Sequence, residues 1–215
     1  MLNRNIQQIL LELKKQYPKA KTVLTFSNAI EILVATILSA QCTDNQVNKV
    51  TQKLFKRYKK VEDYARADIK QFEQEIRSTG FYRNKARNII LAAKKIISDF
   101  DGEVPNTMSD LVSLPGVARK TANIVLINAF GKVEGIPVDT HVRRLSQRLA
   151  FSTFDDPVKI EQDLMKQVPQ KDWGMVSYWI IEHGRAVCQA RKPHCEECAV
   201  GKYCPSYKNV QKKGT

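Results

Sequence analysis

The four residues Leu114-Pro115-Gly116-Val117, followed by an uninterrupted apolar segment, constrain the fold of this chain more than any other feature. Proline presets φ for a turn and glycine tolerates backbone conformations that other residues avoid, so these residues predict a tight turn. From Val117 to Phe130 neither Pro nor Gly occurs, and nearly every helical face carries an apolar residue, which predicts a buried central helix. The turn also places backbone N–H groups at a helix N-terminus, a position suited to a phosphate oxygen.

Lys120 lies on an apolar stripe of this predicted helix, between Ile124 and Ile127 on a helical wheel and one turn after Val117. Desolvation in such a position favours the neutral amine, and a neutral amine is a nucleophile. In the alternative interpretation, the side chain runs along apolar surface and its ammonium reaches water. Helical periodicity by itself favours this second interpretation, so a nucleophilic role needs support from the rest of the chain.

The charge balance predicts a polyanionic partner. The 215 residues include 35 Lys and Arg against 22 Asp and Glu, a formal net charge of +13, which is far more than solubility requires and makes nucleic acid the leading candidate. The most apolar run, 32–40, is too short to cross a membrane, and the first residues lack the apolar core of a signal peptide. We therefore expect a cytoplasmic protein with one large domain or two small ones.

Apolar residues recur at helical spacing along nearly the whole chain, and no segment alternates convincingly with period two, so the predicted fold class is all-α. A loop is expected at 131–135, and Asp139 stands where an N-cap belongs for the helix that follows. We predict helices at 3–17, 28–41, 44–58, 68–80, 84–100, 108–113, 117–130, 141–151, 157–168 and 173–187. The helix at 28–41 is nearly all apolar, interrupted by Glu31, and should be buried. The helix at 3–17 should bury one face, formed by Ile6, Ile9, Leu10 and Leu13.

Four of the five cysteines crowd into 17 residues with the spacing C-x6-C-x2-C-x5-C; they are Cys188, Cys195, Cys198 and Cys204. Four thiolates this close together can enclose one metal centre, either tetrahedral zinc or a [4Fe–4S] cluster. Zinc ribbons usually supply two C-x2-C pairs and this loop has one, which favours the cluster although the spacing does not exclude zinc. The fifth, Cys42, follows an apolar helix and is expected to be a small buried residue.

Cationic residues accompany the cysteine loop. Arg191, Lys192 and His194 lie between its first two cysteines, and other basic side chains stand around the loop, namely Arg185, Lys202 and Lys208. A rigid loop that carries these charges is suited to gripping phosphates.

Two further segments complete a recognisable set of motifs. They are Leu38-Ser39-Ala40-Gln41-Cys42-Thr43-Asp44 and Val138-Asp139-Thr140-His141-Val142-Arg143-Arg144. With the turn at 114–120 and the cysteine loop, they make nearly the whole chain similar to the bacterial endonuclease III family. The resemblance implies a two-lobed helix-hairpin-helix DNA glycosylase fold with a C-terminal [4Fe–4S] loop. It implies a six-helix domain at 22–132, a cluster domain formed by 1–21 plus 133–215, and DNA in the cleft between them.

The same resemblance implies base excision repair by a bifunctional enzyme. Such an enzyme is a DNA N-glycosylase for oxidised pyrimidines and a lyase that cleaves 3′ to the lesion by β-elimination. Lys120 matches the nucleophile that forms the Schiff base, and Asp139 matches the essential carboxylate. Gln41 matches the residue that fills the gap left by the extruded base, and Phe81 lies in the loop that supplies an apolar wedge. The implied partner is double-stranded DNA with a damaged base or an abasic site, bound by a monomer.

Six further residues are expected DNA contacts; they are Gly116, Ala118, His141, Arg143, Arg191 and Lys192. Two positions depart from the family pattern. Ala118 replaces a glycine and is compatible with the hairpin if its φ is negative, and Phe81 replaces a leucine and can stack as well as push.

Two alternatives stay open at the level of sequence. A monofunctional mismatch glycosylase of the same superfamily is disfavoured because such enzymes lack a lysine at position 120. In a non-catalytic DNA-binding cluster protein the charge and the hairpin would serve binding alone, and Lys120 and Asp139 would have no chemical role.

Overall fold

The computed structural model describes residues 4–207, which contain helices and connecting turns and no β-strand. Eleven α-helices occur in residues 4–204: α1 (Arg4–Gln16), α2 (Ala29–Leu38), α3 (Asp44–Arg57), α4 (Val61–Ala65), α5 (Ile69–Glu75), α6 (Tyr82–Asp99), α7 (Met108–Val112), α8 (Arg119–Phe130), α9 (Thr140–Arg148), α10 (Pro157–Gln167) and α11 (Trp173–Ala186); residues 205–207 are helical as well. There are also three short 3-10 helices. Arg77–Thr79 follows α5, Gln170–Asp172 precedes α11, and Gly201–Tyr203 lies in the cysteine loop. The all-α prediction is confirmed.

Every predicted helix has a counterpart in the structure, although Asn3, the first residue predicted for the N-terminal helix, lies outside the described residues. The short helix α4 was not predicted. It has only five residues, too few for a helical period to show in the sequence. Its start is fixed by Asp63, whose carboxylate accepts hydrogen bonds from the backbone N–H groups of Lys59 at 2.8 Å and Lys60 at 2.9 Å.

The chain divides into two compact units, each with its own hydrophobic core. One unit is Val23–Glu134 and holds α2 to α8; the other contains the described residues 4–22 and 135–207, with α1 and α9 to α11. Because the second unit combines the two ends of the chain, residues distant in sequence share one core there.

Helix α2 is the centre of the unit 23–134. All residues from Ile30 to Leu38 are buried, and the helix packs against α3, α6 and α8. Glu31 is among them, and its buried carboxylate accepts a hydrogen bond of 2.6 Å from the backbone N–H of Ser27. A buried carboxylate needs such partners to offset its lost hydration. The buried, nearly all-apolar helix predicted here is therefore confirmed, although it ends at Leu38 and not at Gln41.

The other unit packs α1 and α9 against α11. The four residues predicted for the inner face of α1 are all buried; they are Ile6, Ile9, Leu10 and Leu13. Within α11, the buried hydroxyl of Ser177 donates to the carbonyl of Pro137 at 2.7 Å, which fixes the chain just before α9. No helix within residues 4–207 combines the length and the apolar character needed to cross a membrane.

Three aromatic rings pack together at one end of the unit 23–134. Phe72 meets Tyr58 edge to face at 5.2 Å between ring centroids, and meets Tyr64 at 6.1 Å. We expect Phe72→Ala to lower the free energy of unfolding by about 3–5 kcal/mol, because it removes a fully buried ring and leaves a cavity. Urea denaturation followed by circular dichroism measures the change.

Phe81→Ala is the matched control in the same unit, because that ring is 63% exposed. Its expected effect on unfolding is below about 0.5 kcal/mol. Equal losses for the two variants would contradict the packing described for Phe72.

Candidate functional site

The predicted turn connects two helices, α7 and α8, and has the backbone conformation that its sequence indicates. The N–H of Val117 donates to the carbonyl of Leu114 at 3.1 Å, and Gly116 has a φ of +79°. A Cβ on Gly116 would lie 2.8 Å from the Cβ of Asn88 on α6. Glycine is therefore required here both by the backbone angle and by the packing of α6.

Ala118 is the N-cap residue of α8, with φ −95° and ψ 170°. An alanine adopts this extended conformation without strain, so the condition set for its replacing a glycine is met. No side chain caps α8 at this position. The N-terminus of a 12-residue helix thus faces the turn with backbone donors, an arrangement suited to an anion.

Lys120 is the second residue of α8, and its side chain is half-buried. It shares its helical face with Ile124 and Ile127, which are half-buried too, whereas Ala122 and Val125 point into the core. Lys120 is therefore neither enclosed in the core nor fully exposed. Both interpretations of this lysine, desolvated nucleophile and solvated surface residue, are compatible with that position.

Asp139 is the N-cap residue of α9, as its position in the sequence predicts. Its Oδ1 accepts a hydrogen bond of 2.8 Å from the backbone N–H of Val142, and the side chain is half-buried. The capping bond fixes the direction of the carboxylate. Asp139 belongs to the unit containing α9, whereas Lys120 belongs to the unit 23–134, so each is positioned by the packing of its own unit.

Gln41 and Phe81 share an uncommon conformation. Gln41 lies in the turn after α2 with φ +53°, and Phe81 lies directly before α6 with φ +46°. Both side chains are exposed. Within residues 4–207 only two other non-glycine residues have positive φ, Asp101 and Ala150. Cys42, expected to be buried, is only half-buried against the core because it follows this turn.

Lys85 on α6 is a residue that the sequence analysis overlooked. It is only 4% exposed, and its ammonium donates to two backbone carbonyls, Leu38 at 2.8 Å and Thr79 at 2.7 Å. Burial lowers its pKa from the ordinary value. Lys85 lies one turn before Ile89 on the apolar face of α6. This position in the helical pattern could have indicated from the sequence that Lys85 is buried.

The four predicted cysteine ligands line a single cavity of about 200 Å³ after α11. Burial raises the pKa of Cys195 and of Cys198, and the charges of the neighbouring thiolates raise both further. No group of three or more His, Cys, Asp or Glu side chains in the described part of the chain could hold one metal ion. The sulfurs thus border a cavity and do not converge on a single ion position.

Two arginines of α9 hold the cysteine loop, and neither role was predicted. Arg144 donates from Nη2 to the carbonyls of Gly184 at 3.1 Å and Cys188 at 3.0 Å. Arg148 donates to the carbonyl of Gln189 at 2.7 Å and to Sγ of Cys188 at 3.3 Å. The helix that Asp139 caps is therefore bonded directly to the first residue of the cysteine loop.

His183, on α11, was likewise not predicted to border the loop. Its Nδ1 lies 3.1 Å from the hydroxyl of Tyr17, and its Nε2 lies 3.5 Å from Sγ of Cys198. Burial lowers the pKa of His183 to about 4, so the imidazole is neutral at physiological pH.

The expected DNA contacts of the second unit differ in their surroundings. Arg191 and Lys192 are exposed on the cysteine loop. Arg143 is also exposed, but its guanidinium donates from Nε and Nη2 to the carboxylate of Asp155. His141 is half-buried, with Nδ1 3.3 Å from Nη2 of Arg144. Lys208 lies outside the described residues.

Comparison with known proteins supplies the family. Residues 34–170, more than half of the chain, match the model of the HhH-GPD superfamily base excision DNA repair proteins. Endonuclease III of Synechocystis sp. is 57% identical over 199 residues, which are 93% of this chain and 91% of that relative.

Two solved structures are similar over nearly the full length. One, described as a non-covalent endonuclease III–DNA complex, has a TM-score of 0.93 at 43% identity and covers 99% of this chain and 100% of its own. The other, described as a trapped endonuclease III–DNA covalent intermediate, has a TM-score of 0.91 at 44% identity and covers 98% and 100%.

The fold and the matched model define a helix-hairpin-helix enzyme of base excision DNA repair. Within that superfamily the chain belongs to the endonuclease III family, whose members are DNA glycosylases with abasic-site lyase activity.

The hairpin turn predicts a difference between two glycine substitutions in the same unit. Gly116→Ala places a Cβ 2.8 Å from the Cβ of Asn88 and forces alanine into positive φ, so we expect a loss of about 3 kcal/mol in unfolding free energy. Gly131 has φ +64°, and a Cβ added there would have no atom within 4 Å. Gly131→Ala should therefore lower the unfolding free energy only through backbone strain, by about 1 kcal/mol. Thermal unfolding of both variants measures the difference, and equal losses would contradict the Asn88 contact.

Proposed function

We propose that this enzyme removes oxidised pyrimidines from double-stranded DNA, with Lys120 as nucleophile and Asp139 as the essential carboxylate. The observation that carries the proposal is the place of Lys120, in the first turn of α8 beside an N-terminus that no side chain caps. An amine next to a site for a backbone phosphate is held close to the sugar of that nucleotide.

The proposed chemistry begins at the amine nitrogen of Lys120. Nitrogen forms a bond to C1′ of the damaged nucleotide, the C1′–N glycosidic bond breaks, and the base leaves with a proton. The sugar ring then opens to a Schiff base between Lys120 and C1′, and loss of a proton from C2′ expels the 3′ phosphate by β-elimination. A relative's structure described as a trapped covalent intermediate supports a covalent step.

Asp139 has two roles in this proposal. Its capping bond to Val142 holds the carboxylate in one direction. A carboxylate in that position stabilises positive charge on the sugar and assists proton transfer to and from the amine. The proposal requires that the two predicted domains, 22–132 and 1–21 plus 133–215, contact the same nucleotide.

DNA binding in this proposal relies on the N-terminus of α8 and on cations. The hairpin residues Gly116 and Ala118 let a phosphate approach the backbone, and Arg191 and Lys192 contribute exposed charge from the cysteine loop. His141 and Arg143 are weaker candidates because neighbouring side chains already engage them. We further propose that the enzyme acts as a monomer on the DNA of the cytoplasm.

A [4Fe–4S] cluster is the proposed cofactor of the cysteine loop. The four thiols line one cavity, and four soft thiolate donors can hold such a cluster. The loop contains one C-x2-C pair where zinc ribbons usually supply two, which favours the cluster over zinc. Cys188, Cys195, Cys198 and Cys204 would hold it, and its bonds would make the loop rigid. Arg148 would stabilise the charge on Cys188 through its hydrogen bond to that sulfur.

The covalent step is tested by borohydride reduction during turnover on a duplex with one oxidised thymine. We expect a covalent enzyme–DNA adduct that disappears in Lys120→Gln, because an amide forms no Schiff base. Lys94→Gln, an exposed lysine of α6, is the control and keeps the adduct. Base release without any adduct in the unmodified enzyme would indicate a monofunctional glycosylase, and neither product would indicate a binding protein.

The two roles of Asp139 are separated by a pair of substitutions. Asparagine also caps helices, so Asp139→Asn keeps the stability of α9 and loses the negative charge. Asp139→Ala loses both, with about 1 kcal/mol less unfolding free energy. We expect single-turnover base release to fall similarly in both variants; full activity in Asp139→Asn would rule out a role for the charge.

Elemental analysis distinguishes the two possible metal centres. We expect iron and acid-labile sulfide in equal amounts, together with visible absorbance that disappears when the cluster is oxidised and lost. Zinc without sulfide would overturn the cluster assignment.

A further inference from the structure

We propose that Lys85 is a positioning residue for base extrusion, because its ammonium joins the turn that carries Gln41 to the turn that carries Phe81. This inference rests on the roles expected for those two residues: Gln41 fills the gap left by the extruded base, and Phe81 acts as a wedge. It assigns a function to a buried charge that the chemistry at Lys120 does not use.

The contacts of Lys85 reach the base of each turn. Leu38, which accepts at 2.8 Å, is the last residue of α2, and Gln41 follows three residues later. Thr79, which accepts at 2.7 Å, is the last residue of the 3-10 helix Arg77–Thr79, and Phe81 follows two residues later. One side chain therefore fixes the distance between the starting points of both turns.

The burial of this ammonium has a cost that its partners must offset. A buried charge without hydrogen bonds is strongly destabilising, and Lys85 is 4% exposed. Both carbonyls point to the ammonium, and the one from Leu38 belongs to the C-terminus of α2, where the helix dipole favours a cation. The lowered pKa of Lys85 agrees with this desolvated position.

The two turns carry backbone strain that needs such a constraint. Gln41 and Phe81 have φ values of +53° and +46°, and a non-glycine residue in this region costs of the order of 1–3 kcal/mol unless its surroundings hold it there. Their side chains are exposed, so their own packing cannot supply that constraint. Backbone hydrogen bonds hold each turn locally, such as those from the N–H of Cys42 to the carbonyl of Ser39 and from the N–H of Lys85 to the carbonyl of Phe81, both 3.1 Å. The ammonium of Lys85 beneath the turns and a hydrogen bond of 2.8 Å from Gln46 to Ser78 beside them add the constraint that links one turn to the other.

Base extrusion makes the separation of the turns important. A filling residue and a wedge have to enter the same local distortion of the duplex together, while the unstacked base costs several kcal/mol. If the turns move independently, one side chain inserts without the other and the extruded state is less populated. Lys85 should therefore matter for paired, stacked substrates and not for substrates that need no extrusion.

The test compares two single-turnover rates for Lys85→Met: base release from an oxidised thymine in duplex DNA, and strand cleavage at an abasic site in single-stranded DNA. The concentration of active enzyme is measured by borohydride trapping on the single strand. Both rates are divided by it, so a smaller folded fraction does not change their ratio. We expect the ratio of duplex to single-strand rates to fall about tenfold, since small misplacements cost up to about 100-fold. The fluorescence of 2-aminopurine beside the lesion should rise more slowly by a similar factor.

Three variants accompany this measurement. Lys85→Arg keeps a cation with several donors and should restore most of the ratio. Lys94→Met, an exposed lysine on the same helix, should leave it unchanged. Lys85→Gln keeps one NH2 donor and replaces Lys85→Met if that variant does not fold.

The possible outcomes separate this inference from the function it rests on. No borohydride adduct in the unmodified enzyme would mean that the proposed chemistry fails. An unchanged ratio in Phe81→Ala would remove the wedge, and this inference with it. If Phe81→Ala lowers the ratio and the Lys85 variants do not, Lys85 is only a structural residue and the inference is overturned.

Discussion

The burial of α2 on every face is the constraint on which the unit 23–134 depends. A helix with buried residues from Ile30 to Leu38 has to be enclosed by other helices, and α3, α6 and α8 pack against it. The packing of α8 fixes where the hairpin turn and Lys120 lie, and the end of α2 supplies a carbonyl to Lys85. The packing of the apolar helix α2 thus sets the positions of two polar side chains, Lys120 and Lys85.

In the other unit, α9 has a comparable function. Its N-cap residue is Asp139, and Arg144 and Arg148 on the same helix bind the backbone of the cysteine loop. A short rigid helix therefore connects a carboxylate to a loop that carries exposed cations. These hydrogen bonds fix the first residues of the cysteine loop to α9, so the loop is held by helix side chains although it has little secondary structure of its own.

Much of this molecule follows from local patterns in the sequence. Helical periodicity predicted the all-α class and the buried face of α1, and the Pro115-Gly116 pair predicted the turn before α8. Apolar spacing and turn chemistry are properties of neighbouring residues, so both can be read locally. The short helix α4 could not be found this way, since five residues hold little more than one period. Lys85 was missed because a lysine near the start of a helix is usually solvated, and its two carbonyl partners are 47 and 6 residues away.

The sequence by itself determined the positions of α1 to α3 and α5 to α11, the cysteine spacing, the charge of +13 and the membership of the endonuclease III family. Only the tertiary structure decided which polar groups are buried and what they bind. It paired Arg143 with Asp155, placed Arg148 on the sulfur of Cys188, and enclosed Lys85 between two turns. The physical reason is that desolvation and hydrogen bonding depend on groups brought together by folding, and no local pattern records those partners.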